Sequence, residues 1–298
     1  MKFLSTLLSG AILVPNLLNG QGSTPALSQL KIPVSARASA LGQGTVSDAG
    51  HFSSWSLNPA NLLANEGRSL TLTHVQWIQD IQSEFVGVRF PLASGSAGFA
   101  VSTNAVPGIE IREKPGAAIG SFTARFASIE AGYATGAFEN FSAGFTARYL
   151  CEKLYLDDAV GFGVDIGILY HAPIDGLQVG ASVTNIGSME AFRRDKSDLP
   201  TFARIGAAYD LGTGDIRFRI SAASATGLEA SESHLGGSLE GLYRDFLAVR
   251  FGYQSGYESH RISAGLGIKY EFVTLDYGYV PFTYGFGSAH LLSLGFQF

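Results

Sequence analysis

Cysteine is almost missing from this 298-residue chain: Cys151 stands alone, so no disulfide framework can hold the fold. Charge is sparse. Asp, Glu, Lys and Arg make up 15% of the residues, against about 25% in an average soluble domain. Past the N-terminus no apolar run reaches the roughly 18 residues that a membrane-spanning helix requires, which excludes helical spans. A formal net charge of −5 excludes the basic footprint of a nucleic-acid partner. The six histidines are scattered, with neither an HExxH nor a close pair suited to a metal, and there is no GxSxG elbow. "GFGVDIG" looks faintly like a dinucleotide loop but lacks the helix such a loop must open. The expectation is no catalytic residues, no metal and no cofactor.

What the chain does have is glycine, at 37 residues, 12% aromatics and a positive mean hydropathy. A greasy, glycine-rich, helix-poor chain is either a membrane β-barrel or an unusually apolar soluble β protein. The head, "MKFLSTLLSGAILVPNLLNGQG", carries one Lys, then an apolar stretch, then small residues. That is the pattern of a secretory signal peptide, here 1–20, with Gln21 opening the mature chain.

Alternation with period two marks β-strands with one apolar and one polar face. In 160–170, Val160, Phe162, Val164, Ile166, Ile168 and Tyr170 oppose Gly161, Gly163, Asp165 and Gly167. The last stretch, "HLLSLGFQF", sets Leu292, Leu294, Phe296 and Phe298 against Ser293, Gly295 and Gln297. Fourteen such runs are expected, at 69–79, 84–92, 96–105, 121–134, 139–150, 159–171, 177–186, 201–211, 215–223, 233–243, 246–255, 260–270, 272–280 and 289–298. In the fourth the apolar parity switches near Ala127–Ser128, which predicts a β-bulge there. Tight connections such as "GAFEN" and "GTGD" alternate with longer ones such as "VPGIEIREKPGAAIG" and "CEKLYLDD", the pattern of an outer-membrane barrel. An even count lets the last strand close on the first and remove both edges.

The polar parity is rich in Gly, Ser and Ala, which suits a crowded interior. The apolar parity ends in tyrosines, as interfacial girdles do. Lipid is therefore expected on the apolar face, and a soluble sandwich is the lesser reading. Inward charges are then Arg148, Asp165, Arg204, Arg217, Arg219 and Arg250, with Arg89, Arg125, Arg261, Lys269, Glu130, Glu240 and Asp276 on the same face. Pairing with one another or with a plug accounts for them better than an anion-selective conduit. Before the barrel, 21–68 loses the alternation. Asn58-Pro59 reads as a helix start, with Asn as N-cap and Pro at the first position. The expected order is signal peptide 1–20, N-terminal plug 21–68 and barrel 69–298.

The motifs "ARASALGQGTVSD" and "WSLNPANL", then "SVTNIG" with "LPTFARIGAAYDL", then "LDYGYVPF" with "GSAHLLSLGFQF" resemble the PorV/PorQ family of outer-membrane proteins, which is related to the FadL-type transporters. The resemblance covers both ends and the centre of the chain. It implies a fourteen-stranded transmembrane barrel with a short N-terminal plug, whose motif residues here are Arg37, Gly42, Trp55, Asn58 and Pro59. It also implies one of two roles. A PorV-like chain would bind type IX secretion subunits or exported cargo; a FadL-like chain would pass hydrophobic small molecules. The charged loop 188–198, with Glu190, Arg193, Arg194 and Lys196, favours the partner-binding role and makes it the leading expectation. The transporter is the alternative. Either way the partners expected are the outer-membrane bilayer, secretion subunits or cargo, and a hydrophobic ligand, with no nucleic acid.

Overall fold

The computed structural model describes residues 27–49, 51–63, 67–190, 197–229 and 232–298. The signal-peptide stretch lies outside these, as do Arg193, Arg194 and Lys196. The strands are β1 (Ser69–Gln76), β2 (Gln82–Leu92), β3 (Gly95–Ile111), β4 (Gly120–Phe138), β5 (Phe141–Leu154), β6 (Asp157–His171), β7 (Leu177–Met189), β8 (Ser197–Asp198), β9 (Phe202–Leu211), β10 (Ile216–Gly227), β11 (Ser233–Tyr243), β12 (Leu247–Ser255), β13 (Ile262–Tyr270), β14 (Val273–Pro281) and β15 (Ser288–Gln297). All but the two-residue β8 are staves of one closed, antiparallel, fourteen-stranded barrel. β15 pairs with β1 in unbroken register from Ser69↔Gln297 to Gln76↔His290, and the β6–β7 pairing completes the ring. Phe298, just beyond β15, exchanges backbone hydrogen bonds with Arg68. The terminal strand leaves no free edge.

The two faces are inverted relative to water. On β6, Asp165 is fully buried while its neighbour Ile166 is 50% exposed. Outward residues such as Phe99, Ile129, Phe162, Leu239, Phe251 and Leu266 make an exposed aliphatic belt, far larger than the few hundred Å² that a soluble monomer leaves bare. Hydrocarbon is the solvent that such a surface fits. Tyrosines and phenylalanines, among them Phe141, Tyr170, Tyr209, Tyr243 and Tyr270, mark the end where the connections are short. That turn end carries both Ser69 and Phe298; the opposite, loop end carries 112–119, 228–229, 256–261 and 282–287.

Three features differ from the sequence expectation. No bulge occurs at Ala127–Ser128: register runs through Thr103↔Ala127 and Ser102↔Ser128, and slips instead between Val106 and Ile109, at Pro107-Gly108. The hydrophobic parity of β4 switches because Phe126 faces inward, into an apolar cluster with Leu27, Leu150, Met189 and Leu199. Arg125 consequently faces outward and is exposed, not luminal. The second difference is height. β3 and β4 have 17 and 19 residues against nine in β13 and β14, where a tilted membrane strand needs about 9–11. The surplus carries the hairpins beyond the loop end, so "CEKLYLDD" is strand closed by a turn at Tyr155 and Leu156 rather than a long loop. The third is local. Asn58 does cap with Pro59 next to it, but the capped element is a single 3-10 turn, Pro59–Leu62, rather than an α-helix.

The described residues between 27 and 63 pack against inward-facing wall residues. Helix α1 (Ala36–Ala40) is capped by Ser35, whose hydroxyl accepts from Ala38 N, and ends where Gly42 turns left-handed at φ 56°. The contact accounts for many of the inward-facing strand glycines. Ala36 lies on Gly278 and Ala40 on Gly265; Val46 sits between Gly180 and Gly206, Asn58 on Gly167, Pro59 on Gly144, Trp55 on Gly132 and Leu62 on Gly98. A Cβ built on Gly144 would stand 2.5 Å from the Pro59 carbonyl, and one on Gly278 would stand 2.7 Å from that of Ala36. Neighbouring staves thus present bare backbone where the segment crosses them, meeting its backbone at Gly144, Gly180 and Gly278 and its side chains at Gly98, Gly132, Gly167, Gly206 and Gly265.

Candidate functional site

The N-terminal segment is bound to the wall by a chain of buried charges. Arg37 bonds to Asp48 through Nη1 and to Glu240 at 2.7 and 3.0 Å. Glu240 also takes Arg250 at 2.6 Å, and Arg250 reaches Asp276 at 2.6 Å. Asp48 takes Arg219 at 2.6 Å, and Arg219 reaches Asp210 at 3.1 Å. Arg37 and Asp48 come from the segment; Arg219, Glu240, Arg250 and Asp276 come from β10, β11, β12 and β14. The Ser54 hydroxyl donates to Asp48 at 2.5 Å, and the backbone N–H of Asp48 donates to Asn61. Burial alone would raise the Asp48 carboxyl and lower the Arg37 guanidinium. Their mutual attraction wins, holding Asp48 well below the usual carboxylate range and Arg37 well above its ordinary value. His51, beside this group, is pushed down to about 4 chiefly by the Arg37 charge. A buried pair of this kind fixes geometry more than it adds stability, and losing one member leaves the other charge uncompensated.

A second network sits higher in the wall. Arg148 bonds to Asp165 at 2.6 Å, to Asn185 at 2.5 Å and lies 3.4 Å from Glu130. Asn185, at φ 61°, donates its backbone N–H to Asp165 at 2.7 Å and its amide to Pro200 O. Past Thr184↔Phe202 β7 and β9 no longer pair, and residues 197–201 take up the gap.

Two open spaces flank the segment. Toward the turn end lies a cavity of about 540 Å³ whose walls mix charge and apolar groups: Arg217, Asp245, Lys269 and Asp276 with Phe52, Phe246 and Phe296. Toward the loop end, a chamber of about 60 Å³ is walled by Leu30, Val34, Asn104, Phe126, Phe202, Arg204 and Tyr257. A smaller space of about 30 Å³ shares Phe202, Arg204 and Tyr257 and adds His234.

The motif residues Arg37, Gly42, Trp55, Asn58 and Pro59 all fall on this segment–wall contact. Trp55 Nε1 donates to Thr146 at 2.7 Å, and the Asn58 amide donates to Val46 O and Ile168 O. Of the expected luminal charges, Arg148, Asp165, Arg219 and Arg250 are buried and paired as described. Arg204 is luminal with no carboxylate bound among the described residues. Arg217 keeps the inward parity but lies exposed at the turn-end rim, paired with Asp245. Lys269 is exposed at that rim, and Arg261 is exposed at the opposite end. Of the charged loop, only Glu190 lies among the described candidates, exposed at the end of β7. Sequence reasoning missed Asp48, which gives no signal beyond one acid in "GTVSDAG", and the aromatic residues gathered at the loop end.

No family model matches the sequence, and no curated protein is similar to it. Among solved structures, the chain is similar to the P. putida toluene transporter TodX, with a TM-score of 0.62 at 11% identity over 89% of this chain and 98% of that one. The CymD monoaromatic hydrocarbon channel matches with a TM-score of 0.59 at 12% identity over 89% and 97%. At such identities the likeness is one of fold: a closed fourteen-stranded barrel of the FadL type. The PorV/PorQ resemblance rests on the sequence motifs alone.

Proposed function

We propose that the protein is an outer-membrane conduit for small hydrophobic molecules, with residues 21–68 as its plug. The observation that carries this is the arrangement of the lumen: a chamber at the loop end and a cavity at the turn end, separated by a segment held through contacts that can be broken. A static partner-binding barrel has no need of two chambers. The structural neighbours are named for transport of toluene and monoaromatic hydrocarbons, which supports the same reading. The secretion-partner reading rests on its sequence motifs and on the charged loop, of which Arg193, Arg194 and Lys196 lie outside the described residues.

On this reading the loop end faces outward and the turn end faces the periplasm, with the signal peptide directing export. A molecule enters among the aromatic residues of the loop end and moves into the outer chamber. It passes when the Arg37–Asp48–Glu240 contacts let the segment shift, and the charged cavity below then releases it to water. The charges serve the plug, not the solute. Liposomes carrying the full-length barrel should take up radiolabelled toluene several-fold faster than empty liposomes, at low ionic conductance. Equal uptake with and without protein would remove the proposal.

A further inference from the structure

At the loop end six rings touch in series. Trp77 meets Phe282 edge-on at 5.2 Å, Phe282 meets His260 at 4.9 Å, and His260 stacks on Tyr257 at 4.4 Å. Tyr257 stacks on His234 at 3.8 Å and within 5° of parallel, and His234 lies 6.2 Å from Phe202. The rings come from five places in the chain: the ends of β1 and β14, the 256–261 loop, and strands β11 and β9. Together they run from the rim down to the outer chamber.

A cation stands at the inner end of the series. The Arg204 guanidinium lies 4.8 Å from the centre of the Phe202 ring and, among the described residues, makes one side-chain hydrogen bond, to Thr184 Oγ1 at 2.5 Å. The contrast with four other buried arginines is sharp. Arg37, Arg148, Arg219 and Arg250 each contact two carboxylates. Arg204 reaches none among the described residues, and the nearby Lys31 is already taken by Glu232 at 2.5 Å. A half-buried guanidinium with no carboxylate in contact among the described residues, and Asp165 acting on it only at longer range, is costly unless something else supplies the charge. Its free donors open on the chamber that Phe202 and Tyr257 also wall.

We propose that the outer chamber is a binding site for a single-ring aromatic carboxylate, with the ring against Phe202 and Tyr257 and the carboxylate on Arg204. The chamber, about 60 Å³, is smaller than the roughly 150 Å³ that admits a benzene ring, so a single ring enters only as the segment gives at Leu30 and Val34, and a long acyl chain needs a larger displacement still. Bidentate guanidinium–carboxylate pairing supplies the specificity, and ring stacking supplies the apolar contact. This names the ligand class for the conduit proposed above and rests on that reading for its transport role.

The test uses the full-length barrel in detergent, with benzoate, toluene and hexanoate titrated by calorimetry at pH 7. Benzoate should bind at least tenfold tighter than toluene and than hexanoate. Arg204→Met should lower benzoate affinity at least tenfold and leave toluene unchanged, while Arg204→Lys keeps part of the preference. Heat-modifiable migration on gels confirms that each variant is folded. Benzoate bound no better than toluene, or unaffected by Arg204→Met, overturns the assignment. Hexanoate bound as tightly as benzoate overturns the ring. Liposome uptake separates the two proposals: toluene uptake without benzoate preference removes only the ligand class, whereas Arg204-dependent benzoate binding without uptake of either probe supports the site and removes the conduit.

Discussion

Gly144→Ala is the most direct probe of how the N-terminal segment is seated. The added Cβ would lie 2.5 Å from both the carbonyl carbon and oxygen of Pro59 and 2.7 Å from Ala60 N. All three are backbone atoms of a 3-10 turn whose own cap, Asn58, is fixed by bonds to Val46 O and Ile168 O. No flexible side chain can swing away, so either the turn or the strand must shift. Overpacking of this kind costs about 1–3 kcal/mol. At about 1.4 kcal/mol per factor of ten, the undocked population rises about 5- to 150-fold. Gly136→Ala is the matched control, because nothing lies within 4 Å of a Cβ there. The assay is maleimide labelling of a cysteine at Ser56, in a Cys151→Ser background, with the barrel in detergent. Gly144→Ala should speed labelling by that factor, and Gly136→Ala should leave it unchanged. Equal rates in the two variants would refute the claim that close backbone approach at Gly144 seats the segment.

Four further outcomes are expected. Arg148→Met leaves Asp165 buried without its cation and should cost about 3–5 kcal/mol, read as a lower temperature for loss of the folded band on gels. Trp55→Phe removes the bond to Thr146 and should cost about 1–3 kcal/mol through the orphaned hydroxyl; adding Thr146→Val should recover part of it, and no recovery would argue against that bond. Ile166→Arg places a charge on the exposed apolar belt and should cost about 2–4 kcal/mol in lipid vesicles, whereas a water-facing site would tolerate it within about 0.5 kcal/mol. Burial pushes the His260 imidazole from 6.5 to about 4 where it stacks between Tyr257 and Phe282. Its folded value lies below its free one, so the neutral stack is fully favoured above pH 6.5 and weakens as pH falls through 4. Hydrogen-exchange protection of 256–261, taken relative to the intrinsic rate at each pH, should fall over that window, and a flat profile would sink the assignment.

The staves were legible because lipid on one side and a packed lumen on the other enforce period two without exception at Val160 to Tyr170. Legibility failed where a residue served neither solvent. Phe126 is apolar and inward because it packs on Leu27 and Leu199, so a pattern reader places a bulge beside it and turns Arg125 the wrong way. The hairpin ends read as loops because, above the hydrocarbon, strand faces no longer need to alternate; Pro107-Gly108 marks a register slip inside β3 rather than its end, and the charges of "CEKLYLDD" are ordinary strand residues. The chain of charges was half visible. Arg219, Glu240 and Arg250 share a parity and could be assigned inward one strand at a time, but Asp48 joins them from 171 residues before Arg219.

The glycines carry the deeper reason why wall and segment cannot be read separately. A lumen that merely conducted water could line itself with serine and charge; this one has bare backbone on stave after stave, at the heights where Ala36, Ala40, Val46, Trp55, Asn58 and Pro59 cross. Each such position gives up strand propensity, and it recovers that loss only when the segment is docked. The barrel's interior is therefore specified by its N-terminal segment. A barrel expressed without residues 21–68 should close its wall, because the β1–β15 and β6–β7 pairings involve no segment residue, but it should lose thermal stability far beyond the few contacts deleted. On the proposed conduit reading, release of the segment is partial: Arg37 and Asp48 let go of Glu240 and Arg219, while the glycine-seated turns stay in place.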